Sequence, residues 1–318
     1  MMNGELAGFT IPRLGMGTMA LAIEGRPDRD TAIRTIHAGL DAGVRYLDTA
    51  WSYYLPSEPG TGTAEDLATV KSWCVMRSLR GMVPEMQCSS PPNRISPYLR
   101  ASRPLMARMR WVLMRVARKA SFAGRSSRYG WIADSRPETM IRDAKSPRCT
   151  WASIRSTCCI RMAPIPRCLT KTNARVEAAA RRGVIKYAGI SRVNNEQIDL
   201  ARGIIGSGLV AVQNQFSPSH PDPEHTMEHC AELGSLSLLV ALGGFLDTFD
   251  QSAYDPFRTV AAQRGCSYQR VVLAWELTRY ERLFTIPSAR NPQEINDSFA
   301  ATQLQLTQEE LAMFLADY

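Results

Sequence analysis

Parallel strands alternating with helices and closed into a barrel are the fold class this sequence predicts, on three observations. Apolar runs of strand length alternate with helical stripes toward both ends of the chain. No Pro/Gly/Ser-rich linker and no solenoid-type repeat divides the 318 residues, and α/β barrels commonly reach that length as one domain. A hydrophobic fraction of 45% suits a single soluble core. In chain order, Pro27-Asp28 starts a helix over Arg29 to Ala42, with Ile33, Ile36, His37 and Leu40 on one stripe. Gly43 to Leu47 follows as a short apolar strand. Beyond the middle of the chain a helix ends over Val176 to Arg182. Strands are then expected at Val184 to Ile190 and Val210 to Gln213, and Pro221-Asp222-Pro223-Glu224 begins a further helix. Tyr268 to Tyr280 reads as a helix with Val271, Val272, Trp275 and Leu277 inward, Phe284 to Pro287 as the last strand, and Pro292 as the start of another helix.

The strongest chemical signal is Asp48-Thr49-Ala50-Trp51-Ser52-Tyr53, at the end of the Gly43 to Leu47 strand and in the loop after it. In a (β/α)8 barrel that rim is where chemistry sits. A carbonyl that accepts a hydride needs a proton on its oxygen, and a phenol such as Tyr53 supplies one if its pKa is drawn down from about 10. Asp48 alone raises that pKa, so a cation must stand between them.

Five motifs occur in order: Leu14-Gly15-Met16-Gly17-Thr18-Met19; Asp41-Ala42-Gly43-Val44-Arg45-Tyr46-Leu47-Asp48-Thr49-Ala50 with Tyr53; Gly183 to Ser191; Val212-Gln213-Asn214-Gln215-Phe216-Ser217-Pro218; and Ile286-Pro287-Ser288-Ala289-Arg290-Asn291-Pro292. Each is weak alone. Together, over about residues 10–70 and 175–318, the chain resembles the aldo-keto reductases. The resemblance implies one (β/α)8 TIM barrel over 1–318, binding of NADP without a Rossmann fold, and reduction of a small-molecule carbonyl substrate, an aldehyde or ketone. Its catalytic set is Asp, Tyr, Lys and His, of which Asp48 and Tyr53 fill the first two places. Thr18, Ser191 and Gln213 fall in the cofactor-binding set, the last two on the nicotinamide carboxamide. Ser288, Arg290, Glu294, Asp297 and Ser298 fall at the adenosine-phosphate end. Arg290 suits a 2′-phosphate because a guanidinium forks onto phosphate oxygens. Trp51 lines the substrate mouth or packs the rim. Two departures stand out: Arg192 and Ser298 occupy positions where asparagine is common in the family.

A larger departure lies between 71 and 175. The family's Lys closes the third strand and its His the fourth, in runs such as Thr-Lys and Leu-Tyr-x-His, and neither run is present. The window holds 22 basic and 4 acidic residues, or +18; the remainder, 16 against 26, carries −10, so the net +8 belongs to one segment. Six of the 8 cysteines fall there too. Such a composition is what a GC-rich gene yields in the wrong frame, and codon arithmetic agrees. Joining the third base of each codon to the first two of the next, Met86 to Asn93 permits Ala-Val-Leu-Val-Ala-Thr-Lys. The same offset across Cys158 to Ala163 forces Leu, then Tyr or His, permits His, and forces Gly. Frame-shifted segments are thus expected at about 71–130, 146–174 and 235–241, with strands 3 and 4 of the barrel disrupted.

Other function classes are weighed on the same residues. A sequence pI near 9.2 and Arg115-Val116-Ala117-Arg118-Lys119 suit nucleic acid, but no helix-turn-helix, RNP or zinc-finger pattern accompanies them, and no nucleic-acid partner is expected. His225-Thr226-Met227-Glu228-His229 matches a zinc-protease spacing; two solvated histidines on a surface helix are the preferred reading, with no metal. Gly203 to Gly208 reads as a loop. No run of 18 apolar residues and no signal peptide are seen, so no membrane partner and a cytoplasmic location are expected. The substrate's identity and the oligomeric state are not legible.

Overall fold

The structure, a computed structural model, describes residues 2–6, 8–23, 25–50, 112–117, 158–162, 187–222, 224–234, 236–241 and 252–315. Two short strands, β1 (Asn3–Leu6) and β2 (Phe9–Pro12), form an antiparallel hairpin. Eight parallel strands follow in chain order: β3 (Met16–Gly17), β4 (Tyr46–Ala50), β5 (Val112–Ala117), β6 (Cys158–Met162), β7 (Tyr187–Ser191), β8 (Leu209–Gln215), β9 (Ser237–Ala241) and β10 (Leu283–Thr285). Each pairs with the next. Parallel bridges from Leu14 to Thr285 and from Gly17 to Ser288 join the first strand to the last. The chain is therefore a (β/α)8 barrel. The hairpin lies across the strand starts, where Ser237 Oγ donates to the Glu5 carbonyl and Leu6 is fully buried.

The described helices are α1 (Arg29–Ala42), α2 (Asn195–Ile205), α3 (Thr226–Glu232), α4 (Asp255–Arg264), α5 (Tyr268–Arg279), α6 (Pro292–Ala300) and α7 (Gln308–Leu315). Their starts follow capping chemistry. Asp28 accepts from the Thr31 backbone N–H at α1, Ser267 from Arg270 at α5, Asn291 from Glu294 at α6, and Asn194 with Gln197 forms a reciprocal capping box at α2. Along α1, Ile33, Ile36 and Leu40 are buried as the stripe requires, while His37 is half-buried. The inward residues expected on α5 are all buried, Trp275 stacking on Phe216.

Several boundaries differ from expectation. Gly43 closes α1 at φ 122 and the Val44 N–H still bonds to Gly39, so the strand begins at Tyr46 and runs on through Asp48 to Ala50. The last strand starts one residue earlier than read and stops at Thr285, ahead of Pro287. The Gly203 to Gly208 loop is instead shared between α2, which contains Gly203, and a 3-10 turn over Gly206–Gly208.

The third and fourth strand positions, expected to be disrupted, are paired in the sheet by β5 and β6. The reason is visible in composition, since Val112-Leu113-Met114-Arg115-Val116-Ala117 and Cys158-Cys159-Ile160-Arg161-Met162 are apolar apart from one arginine each. Met86 to Asn93, where the codon reading sought the third strand, lies outside the described residues, as does the helix end at Val176 to Arg182. At the third expected frame break, β9 forms with Ser237 and Val240 buried.

Candidate active site

Asp48 comes first among the site residues because three strands converge on it. It is buried, at 3% exposure, and pairs in register with Gly17 of β3 on one side and Met114 of β5 on the other. Both the backbone N–H and the hydroxyl of Thr18 donate to the Asp48 carbonyl, at 3.0 and 2.9 Å. The Thr18 side chain, expected among the cofactor ligands, thus fixes the backbone beneath the carboxylate. Tyr46, two residues earlier, is fully buried and its phenol donates to the Thr285 carbonyl at 2.8 Å. Burial first, and the Asp48 charge second, push the Tyr46 phenol well above its ordinary pKa. Tyr53 and Trp51 lie outside the described residues.

Across the barrel, Ser191 ends β7 and stands in register with Gln213 of β8. Both side chains are buried, and Ser191 Oγ and Gln213 Oε1 have no hydrogen-bond partner among the described residues. Leaving a buried donor or acceptor unsatisfied costs about 1–3 kcal/mol, so two such atoms side by side favour a ligand. A primary carboxamide fits: its carbonyl accepts from the serine hydroxyl and its NH2 donates to the glutamine oxygen. The pair is held by its neighbours. Asn214 accepts from the Val193 N–H and donates to the Val193 carbonyl, and the Arg192 N–H donates to the Gln213 carbonyl. Arg192 adopts φ 55, a left-handed conformation that asparagine tolerates better than arginine. That backbone explains why asparagine suits this position.

The expected phosphate end divides into two groups. Ser288 and Arg290 are exposed, and their side chains make no hydrogen bond among the described residues. Ser288 is brought to the first strand by Gly17, where a Cβ would meet Ser288 Oγ at 2.9 Å and the Ile286 carbonyl at 3.0 Å. The loop after β3 passes the guanidinium at Gly25, which adopts φ 71. Glu294, by contrast, accepts from the Arg290 N–H and from Asn291 Nδ2, closing the first turn of α6. Asp297 accepts from Ser267 Oγ and from Arg270, tying α6 to the start of α5. Ser298 is buried on the same helix.

One group escaped sequence reading. Glu276 on α5 is fully buried, its Oε2 accepts from Thr285 Oγ1 at 2.8 Å, and burial pushes its carboxyl up to about 8. Its only signal was a charge inside the apolar run Val271 to Leu277. The zinc-like spacing finds no counterpart: His229 Nε2 pairs with Asp199 at 2.8 Å, and no metal-capable group of three occurs among the described residues. Nor is any helix of the described residues long and apolar enough to cross a membrane.

The model of the Aldo/keto reductase family matches residues 13–77 and 156–316. Pyridoxine 4-dehydrogenase of Escherichia coli is 30% identical over 131 residues, 41% of this chain and 44% of that one. The 6-dehydroglucose reductase of Novosphingobium aromaticivorans is 39% identical over 61 residues, 19% and 20% of the two chains. The chain thus spans less than half the length of these curated relatives. Among solved structures, glycerol dehydrogenase of Gluconobacter oxydans superposes with a TM-score of 0.68 at 18% identity, covering 99% of this chain and 95% of that one. An aldo-keto reductase of Bombyx mori in complex with NADP gives 0.66 at 17%, covering 98% and 91%. At such identities the likeness establishes the barrel.

Proposed function

Because the chain belongs to the aldo/keto reductase family, we propose that its site is built to reduce small aldehydes or ketones to alcohols with NADPH, and that turnover is impaired in this chain. The observation that carries the reading is the register pair Ser191 and Gln213, whose unpartnered atoms match a carboxamide. The NADP complex of the Bombyx mori structure supports the cofactor, and Arg290 is the residue to take a 2′-phosphate. Ser191 and Gln213 would hold the carboxamide of a reduced nicotinamide, whose chemistry would be hydride supply. Tyr53 then donates the proton to the carbonyl oxygen, with Trp51 at the substrate mouth. Asp48 is placed to orient a cation that sharpens that phenol. The eleven residues of β5 and β6 include no lysine and no histidine, only Arg115 and Arg161 being charged, and a phenol whose pKa no cation draws down is a weak acid at neutral pH. Titration of NADPH by fluorescence, with steady-state NADPH oxidation on 4-nitrobenzaldehyde, tests both parts. Binding with turnover lowered by orders of magnitude is expected; a normal rate overturns the impairment, and no binding overturns the cofactor assignment.

The same lack of lysine and histidine favours a second reading, a non-catalytic NADP-binding or regulatory barrel. It predicts NADPH quenching with no turnover on any carbonyl. We also propose that the reading frame was lost and restored within the chain. Charge and codon arithmetic support this, as does the gap between residues 77 and 156 in the family match. The nucleotide sequence of codons 71–175 tests it, and codons that exclude Thr-Lys across Met86 to Asn93 and His across Cys158 to Ala163 overturn it.

A further inference from the structure

We propose that Arg192 reads a carboxylate on the carbonyl substrate, so that the compounds this site prefers are aldehydes or ketones carrying an acid group. The inference rests on the reductase reading and adds a specificity determinant to it.

Arg192 is the first residue past β7 and directly follows Ser191, whose hydroxyl is one of the two unpartnered atoms of the site. Its backbone is pinned to the neighbouring strand. The Arg192 N–H donates to the Gln213 carbonyl at 3.0 Å, and the next residue, Val193, exchanges two hydrogen bonds with the Asn214 side chain. These bonds hold the arginine at φ 55, a conformation that only His225 shares with it among the described residues other than glycine. Such strain is costly for a long side chain. It persists at sites where the residue's chemistry is needed, and what arginine offers here that asparagine lacks is a charge.

That charge is presented rather than spent. The side chain is exposed and makes no hydrogen bond or ion pair among the described residues. Acids of the same rim are engaged elsewhere: Asp199 pairs with His229 at 2.8 Å, and Asp222 accepts from the Met227 N–H at the start of α3. Sheet order then decides what the guanidinium serves. A carboxamide held by Ser191 and Gln213 fixes the nicotinamide at β7 and β8, whereas Ser288 and Arg290 follow β10, on the far side of β9. A cofactor laid between those points carries its phosphates away from Arg192 and leaves that residue to the substrate. One guanidinium balances one negative charge, and its planar fork matches the two oxygens of a carboxylate.

Titration of the NADPH complex with 4-carboxybenzaldehyde and with its neutral isostere 4-formylbenzamide, read by NADPH fluorescence, tests this. We expect the acid to bind about tenfold more tightly than the amide, and the preference to shrink as salt is raised. Arg192→Gln should bring the acid's affinity down to the amide's, and Arg192→Lys should keep part of the difference. Equal binding of acid and amide by the wild type overturns the inference, and so does a preference that survives Arg192→Gln. A glutamine variant that weakens NADPH itself assigns the guanidinium to the cofactor and overturns it as well. Should that variant fail to fold, the wild-type comparison and the lysine variant decide on the same terms. NADPH binding without acid preference sinks this inference alone; no NADPH binding sinks the reductase reading and this inference with it.

Discussion

The strand pairs β5–β6 and β7–β8 sit side by side in one sheet and were built to different standards. β7 and β8 bury Ala188, Ile190, Leu209, Ala211 and Val212, and they place two unpartnered polar atoms in register at Ser191 and Gln213. β5 and β6 complete the ladder from Asp48 on one side to Ser191 on the other, with methionine at both register positions. Neither strand carries a lysine or a histidine. A parallel ladder asks only for a run of five or six mostly apolar residues, whereas the reaction asks for one named side chain at one position. The shape of a barrel therefore constrains its strands far less than its chemistry does.

The contrast is broken most directly by restoring the offset frame across 71–130 and 146–174. Recovery of a strand-end lysine and histidine should raise kcat/KM for 4-nitrobenzaldehyde by about 10²–10⁴, measured by NADPH oxidation; a gain under tenfold would place the defect elsewhere. Asp297→Ala comes next. It removes the acceptor of two hydrogen bonds between α5 and α6, and melting should show a loss of about 2 kcal/mol. NADPH affinity lowered at unchanged stability would return Asp297 to the ligand role expected from sequence.

Smaller effects sharpen the account of β7 and β8. Arg192→Asn relieves a left-handed arginine and should stabilise the fold by about 1 kcal/mol in denaturant titration; a loss instead means the guanidinium makes contacts that outweigh the backbone. Ser191→Ala removes the hydroxyl proposed to hold a carboxamide and, on that reading, should raise the NADPH Kd by about fivefold. The melting temperature should hold or rise, because an orphaned hydroxyl is removed. A lower melting temperature with unaltered Kd would make Ser191 structural.

Much of this architecture was legible in the residues. The Asp28 cap and the apolar stripe placed α1 over Arg29 to Ala42, while the register of Ser191 with Gln213 came from the strand pairing and not from the motifs. What was not legible depended on partners far along the chain. That Asp297 ties α6 to the start of α5 depended on Ser267 and Arg270, about 30 residues earlier. Glu276 reads like an interruption of an apolar stripe until Thr285 is placed beside it. The third and fourth strand positions were expected to be disrupted because motif matching weighs side chains, while the sheet pairs the mostly apolar stretches of β5 and β6.

The seam that joins the first strand to the last also dictates when the molecule can be finished. Tyr46 and Thr285 are 239 residues apart, so a ribosome must deliver nearly the whole polypeptide before the first strand meets its final neighbour. Until then the nascent sheet carries a bare border on each flank, open to pairing with a second copy. Chaperone demand during synthesis should accordingly be greatest just before codon 285 clears the exit tunnel.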